Sequence, residues 1–133
     1  MKVALVGHGD NPPYLRDLFN GEGFELIEKE CNNEKEYIDL LKDADGALIY
    51  LHPLTTRKVM EQCDNLKVIS RGGVGVDSVD LEAATELGIC ICNTPGINTT
   101  EVADHAMALL LSLTRKIREP VSYTHLTLPT MFE

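Results

Sequence analysis

Short apolar runs alternate with amphipathic stretches along this chain, and the alternation repeats five times. The apolar runs occupy residues 3–6, 46–51, 66–70 and 89–92, and residues 24–31 alternate between apolar and polar positions as a half-buried strand does. Each run has the length of a strand, and the run at 46–51 is continuously apolar, which is typical of a strand covered on both faces. The stretches between the runs place apolar residues at helical spacing. The pattern therefore predicts five strands that alternate with helices.

Capping residues mark where several of these helices begin. Asn11 is predicted to cap the first helix, which follows the first strand. Asn33 and Glu36 have the three-residue spacing of a capping box, and Asn98 and Glu101 repeat it before the last helix. These positions predict helix starts near residues 12, 34 and 99.

The last helix differs from the others because it is longer, richly apolar and followed by no strand. Its apolar residues recur at helical spacing: Val102, Ala106, Leu109, Leu110, Leu113 and Ile117. An apolar helix face of this size is normally buried against another protein surface. We therefore expect this helix to pack against a second domain or a partner subunit.

Alternating strands and helices predict an α/β fold with parallel strands joined by right-handed crossovers. Five strands favour a flavodoxin-like, doubly wound parallel sheet in the order 2-1-3-4-5, followed by the additional C-terminal helix. Ligands of such sheets bind beyond the carboxyl ends of the strands. In this chain those ends are Gly7–Gly9, Leu51–Pro53, Arg71–Gly75 and Asn93–Thr94.

Composition and charge narrow the classes of function. The chain has 133 residues and a formal net charge of −9, which argues against nonspecific binding to nucleic acid or to an anionic membrane. No signal peptide precedes the first strand, and the longest apolar stretch, 106–113, is too short to span a bilayer. We therefore expect a cytoplasmic protein without nucleic acid or membrane partners.

Cys90 and Cys92 stand two residues apart in a predicted strand, so both lie on one face. A metal or redox pair is one interpretation. The other is two small buried hydrophobic residues in a reduced protein, and it is favoured because no CxxC or Cys/His spacing accompanies the pair. We therefore expect no metal site.

The stretch "ISRGGVGVDSVD" at 69–80 places glycines between a predicted strand and a predicted helix. The spacing of Gly73, Gly75 and Ser78 nearly matches the dinucleotide-binding turn G-x-G-x-x-G. That turn requires an acidic residue about 20 positions later, where this chain has Pro95 and its neighbours. It also belongs after the first strand, not the fourth. Two interpretations stay open: an anion-binding concavity that takes a small carboxylate, and a plain tight turn.

Three motifs in order, "GVGVDSVDLEAA" (73–84), "NTPG" (93–96) and "EVADHAMALLL" (101–111), resemble the D-isomer-specific 2-hydroxyacid dehydrogenase family, which includes phosphoglycerate dehydrogenase. The likeness extends, more weakly, over residues 1–118. It implies that 1–97 is the substrate-binding (catalytic) domain and 98–118 a helix linking it to a nucleotide-binding domain. It also implies an NAD-dependent oxidoreductase, with NADP as the other possible cofactor, a 2-hydroxy or 2-oxo acid as substrate, and a homodimer.

The resemblance assigns roles to few residues of this chain. It implies that Gly73, Val74 and Gly75 hold the substrate carboxylate and that the Val74 side chain borders the nicotinamide. His52 could face the same cleft, or it could be a strand-end histidine without a specific role. Arg71 could steer an acidic substrate or pair with a nearby acid such as Asp77. The catalytic Arg, His and carboxylate of the family lie beyond the end of this sequence, so no catalytic residue is assigned.

Residues 119–133 differ in character from the preceding helix. "VSYTHLTLPT" resembles a translated transposase-type sequencing adapter, which predicts a non-native tail; a natural capping strand is the alternative. We therefore expect a dehydrogenase fragment that is inactive alone. The alternative is a stand-alone flavodoxin-like module that binds a small carboxylate without catalysis. A receiver domain is disfavoured because the strand ends lack its acids and lysine.

Overall fold

Ten helices and strands alternate along residues 1–7 and 13–117, which this computed structural model describes. The strands are β1 (Lys2–Val6), β2 (Glu25–Lys29), β3 (Gly46–Ile49), β4 (Val68–Arg71) and β5 (Cys90–Cys92). The helices are α1 (Tyr14–Gly21), α2 (Glu34–Leu41), α3 (Arg57–Met60), α4 (Leu81–Leu87) and α5 (Thr99–Thr114). The chain divides into two compact units, Met1–Pro95 and Gly96–Glu133.

The first unit is built on one parallel sheet. Its five strands lie in the order β2-β1-β3-β4-β5, and each neighbouring pair is parallel. The predicted fold class and strand order are therefore confirmed. Because all strands run the same way, the loops after β3, β4 and β5 emerge at one edge of the sheet.

One face of this sheet supplies most of the core. Alternating residues Ala47, Ile49 and Ile69 point to this face and are almost completely buried. Helices α2, α3 and α4 cover it with buried side chains that include Leu41, Met60, Ala83 and Ala84. The core holds β3 and β4, two interior strands that lead into the candidate site.

Local capping explains where α2 and α4 begin. The Asn33 side chain accepts a hydrogen bond from the Glu36 amide at 2.9 Å, which confirms the first predicted capping box. The second box is wrong: Asn98 precedes α5, but its side chain forms no capping hydrogen bond. Asp80 caps α4. The predicted cap Asn11 lies outside the described residues.

The expectation that Cys90 and Cys92 are buried is wrong, because both thiols are exposed. They belong to β5, which lies at an edge of the sheet. Residues alternate across a strand, and Ile91 between them packs against the core. Cys90 and Cys92 therefore lie together on the opposite face.

In the second unit, α5 extends over 16 residues. Its apolar side chains are exposed, among them Leu109, Leu110 and Leu113 at 54%, 53% and 77%. Among the described residues, no helix is both long and apolar enough to cross a lipid bilayer.

A buried hydrogen bond joins α2 to the segment after β3. The Tyr37 hydroxyl lies 2.7 Å from Thr55 Oγ1, and both residues are fully buried. Burial raises the pKa of Tyr37 to about 12, so the phenol stays protonated at neutral pH. The Thr55 backbone in turn forms hydrogen bonds with Ser78 and Asp80, which precede α4.

We expect Tyr37→Phe to lower the free energy of unfolding by about 1–3 kcal/mol, because the Thr55 hydroxyl loses its partner in a dry environment. The measurement is urea unfolding of the wild type, Tyr37→Phe, Thr55→Val and the double variant. The double variant should lose less free energy of unfolding than the two single variants lose together, since it leaves neither hydroxyl unpaired. Tyr14→Phe, at an exposed position, is the matched control. If the losses of the two single variants add up to the loss of the double variant, the two hydroxyls are not coupled.

Candidate functional site

Hydrogen bonds join the loops after β3, β4 and β5. The Gly72 amide donates to the Ile49 carbonyl at 2.8 Å, which ties the start of the β4 loop to the end of β3. On the other side, the Thr94 amide donates to the Gly73 carbonyl at 3.1 Å. The Asn93 side-chain amide donates to the Val74 carbonyl at 2.7 Å. The loop after β4 is therefore held from both neighbouring strands; we call residues 72–76 the glycine loop.

The first four backbone donors of the glycine loop, at residues 72–75, divide into two pairs. Gly72 and Gly73 use their N–H groups internally, toward the carbonyls of Ile49 and Arg71. Within the described residues, no acceptor takes the N–H of Val74 or of Gly75. Both residues are exposed. Two successive N–H groups that face solvent form the kind of concavity that binds an anion.

Side chains pack closely against two glycines of the loop. A Cβ atom at Gly72 would lie 2.8 Å from a ring carbon of Tyr50, which is closer than real contacts allow. A Cβ atom at Gly73 would lie 2.7 Å from Cζ of Arg71 and closer still to its Nη1. The absence of side chains therefore lets the Tyr50 ring and the Arg71 guanidinium lie against the loop.

Arg71 is the cation of this region. Its Nε atom is buried and has no hydrogen-bond partner among the described residues. In the part of the chain that the structure describes, no carboxylate, that of Asp77 included, forms an ion pair with Arg71. The interpretation of Arg71 as a partner of a nearby acid is therefore not supported by the geometry. Its charge stays available next to the free N–H groups.

His52 follows β3 at the same edge of the sheet and is exposed. Its peptide bond to Pro53 is cis. Among the described residues, the imidazole forms no hydrogen bond that would give it a structural role. The structure therefore places His52 at the correct edge, and its role toward a substrate stays a prediction.

The residues around the glycine loop do not fit the pyrophosphate of a dinucleotide. That group requires a free helix N-terminus directly after the glycines. Here α4 begins only at Leu81, and the Asp80 carboxylate already accepts from the Ala83 amide at 2.9 Å. A carboxylate at that position repels phosphate. The structure therefore agrees with the rejection of the dinucleotide turn.

Asn93 is the residue of this site that the sequence did not single out. It was visible as a polar residue directly after β5, but its side-chain bond to the Val74 carbonyl depends on the sheet order. No cluster of three or more His, Cys, Asp or Glu side chains in the described residues could hold a metal ion.

Known proteins resemble this chain over most of its length. Residues 3–133 match the family model "D-isomer specific 2-hydroxyacid dehydrogenase, catalytic domain". D-3-phosphoglycerate dehydrogenase of Sus scrofa is 35% identical over 105 residues, which are 79% of this chain and 20% of that protein. The enzyme of the same name from Methanocaldococcus jannaschii is 43% identical over 84 residues, 63% of this chain and 16% of that protein.

Solved structures share the fold. NAD-dependent formate dehydrogenase from Staphylococcus aureus, determined with NAD, superimposes with a TM-score of 0.76 and 31% identity, covering 93% of this chain and 41% of that one. A protein from Thermus thermophilus gives a TM-score of 0.78 and 32% identity, covering 96% and 41%. The chain thus spans about a fifth of the curated relatives and two fifths of the solved ones. The matched family model and this fold together show that the chain belongs to the D-isomer specific 2-hydroxyacid dehydrogenase family, through its catalytic domain.

Proposed function

We propose that this chain supplies the substrate-binding part of an NAD-dependent oxidoreductase that interconverts a D-2-hydroxy acid and its 2-oxo acid. Within the described residues, the observation that supports this best is that the N–H groups of Val74 and Gly75 meet no acceptor and lie beside Arg71, which forms no ion pair there. Two N–H donors match the two oxygens of a carboxylate, and a guanidinium adds a charge-assisted bond. Gly73 lets the backbone approach closely.

The carboxylate is the group that every substrate of this class shares. Holding it on the glycine loop would fix the adjacent carbon, C2, in the cleft, with His52 at the next strand end. The resemblance to D-3-phosphoglycerate dehydrogenases favours a substrate of the phosphoglycerate type. The exposed Val74 side chain is then the one that borders the nicotinamide.

NAD would accept or supply the hydride in this reaction. The described residues do not form its pyrophosphate site, so we place that site in a separate nucleotide-binding domain, reached through the helix at 98–118. The choice between NAD and NADP belongs to that domain. The substrate-binding domain, 1–97, would bind acid without turning it over. Residues 119–133, which lie outside the described residues, would be a non-native tail.

A second candidate function is a stand-alone module that binds a small carboxylate without catalysis. It is favoured by one observation: every group of the carboxylate site proposed here comes from the first unit, Met1–Pro95. The two candidates share the glycine loop and differ in whether a cofactor domain exists.

We further propose that the complete protein is a cytoplasmic homodimer with no nucleic acid or membrane partner. The net charge of −9 disfavours polyanions. The exposed apolar side chains of α5 favour a cover made of protein.

Sequencing the source DNA beyond the codon for Glu119 separates the two candidates. The reading frame is expected to continue into a strand, a G-x-G-x-x-G turn and an acidic residue about 20 positions later. The extended protein should oxidise NADH in the presence of a 2-oxo acid, whereas the chain of 133 residues should not. A frame that ends as given, together with carboxylate binding, would favour the binding module.

Glyoxylate or pyruvate binding to this chain should depend on the backbone of the glycine loop. Val74→Pro removes one N–H donor, so the affinity should fall by about tenfold, the equivalent of one hydrogen bond to a charged group. Val74→Ala keeps the N–H and is the matched control; its affinity should stay within about twofold. Arg71→Gln should weaken binding by a similar or larger factor than Val74→Pro.

NMR titration measures these affinities through the amide shifts of residues 73–76, and circular dichroism checks that each variant folds. Equal affinity of the wild type, Val74→Pro and Arg71→Gln would place the carboxylate elsewhere and overturn the proposed site.

The chain should self-associate because α5 exposes an apolar stripe. Light scattering at about 50 µM is expected to give a mass above 14.7 kDa. Leu110→Ser with Leu113→Ser should shift the mass toward the monomer, whereas Thr99→Ser at the same helix should not. A monomeric wild type would contradict the proposal that another protein surface buries the apolar side chains of α5.

A further inference from the structure

One half of the sheet face opposite to the core carries exposed side chains. The pairing register places five residues of β3, β4 and β5 together on this half: Leu48, Val68, Ser70, Cys90 and Cys92. We call these five residues the open face. Val68 is 36% exposed and both cysteines are exposed, whereas Ile69, which points to the core face, is fully buried.

Helix α1 covers the other half of the same face, over β1 and β2. The Arg16 Nε atom donates to the Glu28 carboxylate at 3.0 Å, so α1 lies on the face to which Glu28 points. Leu5 is the register partner of Glu28, points the same way and is fully buried. Helices α2, α3 and α4 pack on the core face. Among the described residues of the first unit, no helix therefore covers the open face, although a parallel sheet is normally covered on both faces.

The open face has the size and chemistry for one apolar helix. Three strands spaced about 4.8 Å apart span about 10 Å, which is the diameter of a helix with its side chains. No charged side chain belongs to the open face, so a cover would remove no charge from water. Helix α5 offers a matching stripe of uncharged, exposed residues at helical spacing: Val102, Ala106, Leu109, Leu110 and Leu113.

We propose that two copies of this chain exchange α5, so that α5 of each copy packs on the open face of the other. The inference rests on the homodimer proposed above and names the surfaces that form it. Both surfaces are exposed in the single chain, and a second copy supplies both. Two contacts related by a twofold axis bury twice the area of one contact and close the assembly at two chains.

The thiols of Cys90 and Cys92 report on whether the open face is covered. The chain is kept reduced with a phosphine and treated with iodoacetamide at about 1 µM and at about 100 µM protein, and intact mass and peptide mapping follow the reaction. At the higher concentration we expect a mass of twice 14.7 kDa. Alkylation of both thiols should then be at least about tenfold slower, the factor reached once about nine tenths of the chains are paired. Cys31 and Cys63 are buried and should react slowly at both concentrations.

Substitutions on either surface should abolish this protection. Val68→Lys places a charge on the open face, and Leu110→Ser with Leu113→Ser makes the α5 stripe polar. In both variants, the two thiols should react at the higher concentration as fast as in the diluted wild type. Leu87→Lys introduces the same charge at an exposed apolar position of α4, so it is the matched control and should keep the dimer and the protection. Circular dichroism verifies that each variant folds.

Mixing the two variants distinguishes the exchange from a pairing of α5 with α5. The Val68→Lys chain keeps its α5 and the α5 variant keeps its open face, so an equal mixture restores one of the two contacts. The thiols of the α5 variant, recognised by its lower mass, should react more slowly in the mixture than alone. The thiols of the Val68→Lys chain should stay reactive.

A monomeric wild type would overturn both this inference and the proposed homodimer. A dimer whose thiols stay reactive, or a mixture without renewed protection, would overturn the exchange of α5 and leave the homodimer standing. The carboxylate titration of the glycine loop stays the separate test of the proposed reaction.

Discussion

The hydrogen bond from the Gly72 amide to the Ile49 carbonyl is the interaction on which the candidate site depends. It extends the pairing of β3 and β4 one residue beyond the strands, so β4 turns only after Gly72. The following turn uses the Gly73 amide and leaves the next two donors facing solvent. A strand ending one residue earlier would bring Arg71 and these donors to different places. The parallel sheet therefore determines the chemistry of the loop.

The core explains why the loops at this edge of the sheet have defined positions. Ile49 and Ile69 are buried on the central strands, and each lies shortly before the loop it leads into. The Tyr37–Thr55 hydrogen bond ties the segment after β3 to α2. The Thr55 backbone forms hydrogen bonds with the residues before α4. The glycine loop is thus enclosed by two anchored segments. Its own residues can stay exposed without losing their conformation.

The sequence alone predicted the strand order, which the structure confirms, and it placed the candidate site at the carboxyl ends of the strands, which stays a prediction. Apolar runs located four strands, the alternating pattern of residues 24–31 located β2, and the Asn33 box located α2. The Asn98 box failed since residue spacing does not determine the backbone angles that a cap requires. The burial of Cys90 and Cys92 was wrong for a related reason. The predicted order already made β5 an edge strand, but the apolar character of a short run does not say which of its two faces will be covered.

The glycine motif shows why spacing alone is a poor guide to the ligand. A strand, glycines and a helix occur both in dinucleotide sites and here, but the two differ at the helix N-terminus. In this chain the Asp80 carboxylate occupies that terminus, which removes its positive potential from any ligand. In the proposed site, the anion would instead be attracted by the Arg71 guanidinium and by the N–H groups of Val74 and Gly75, which meet no acceptor among the described residues. A single carboxylate matches that small array, whereas a pyrophosphate would meet Asp80.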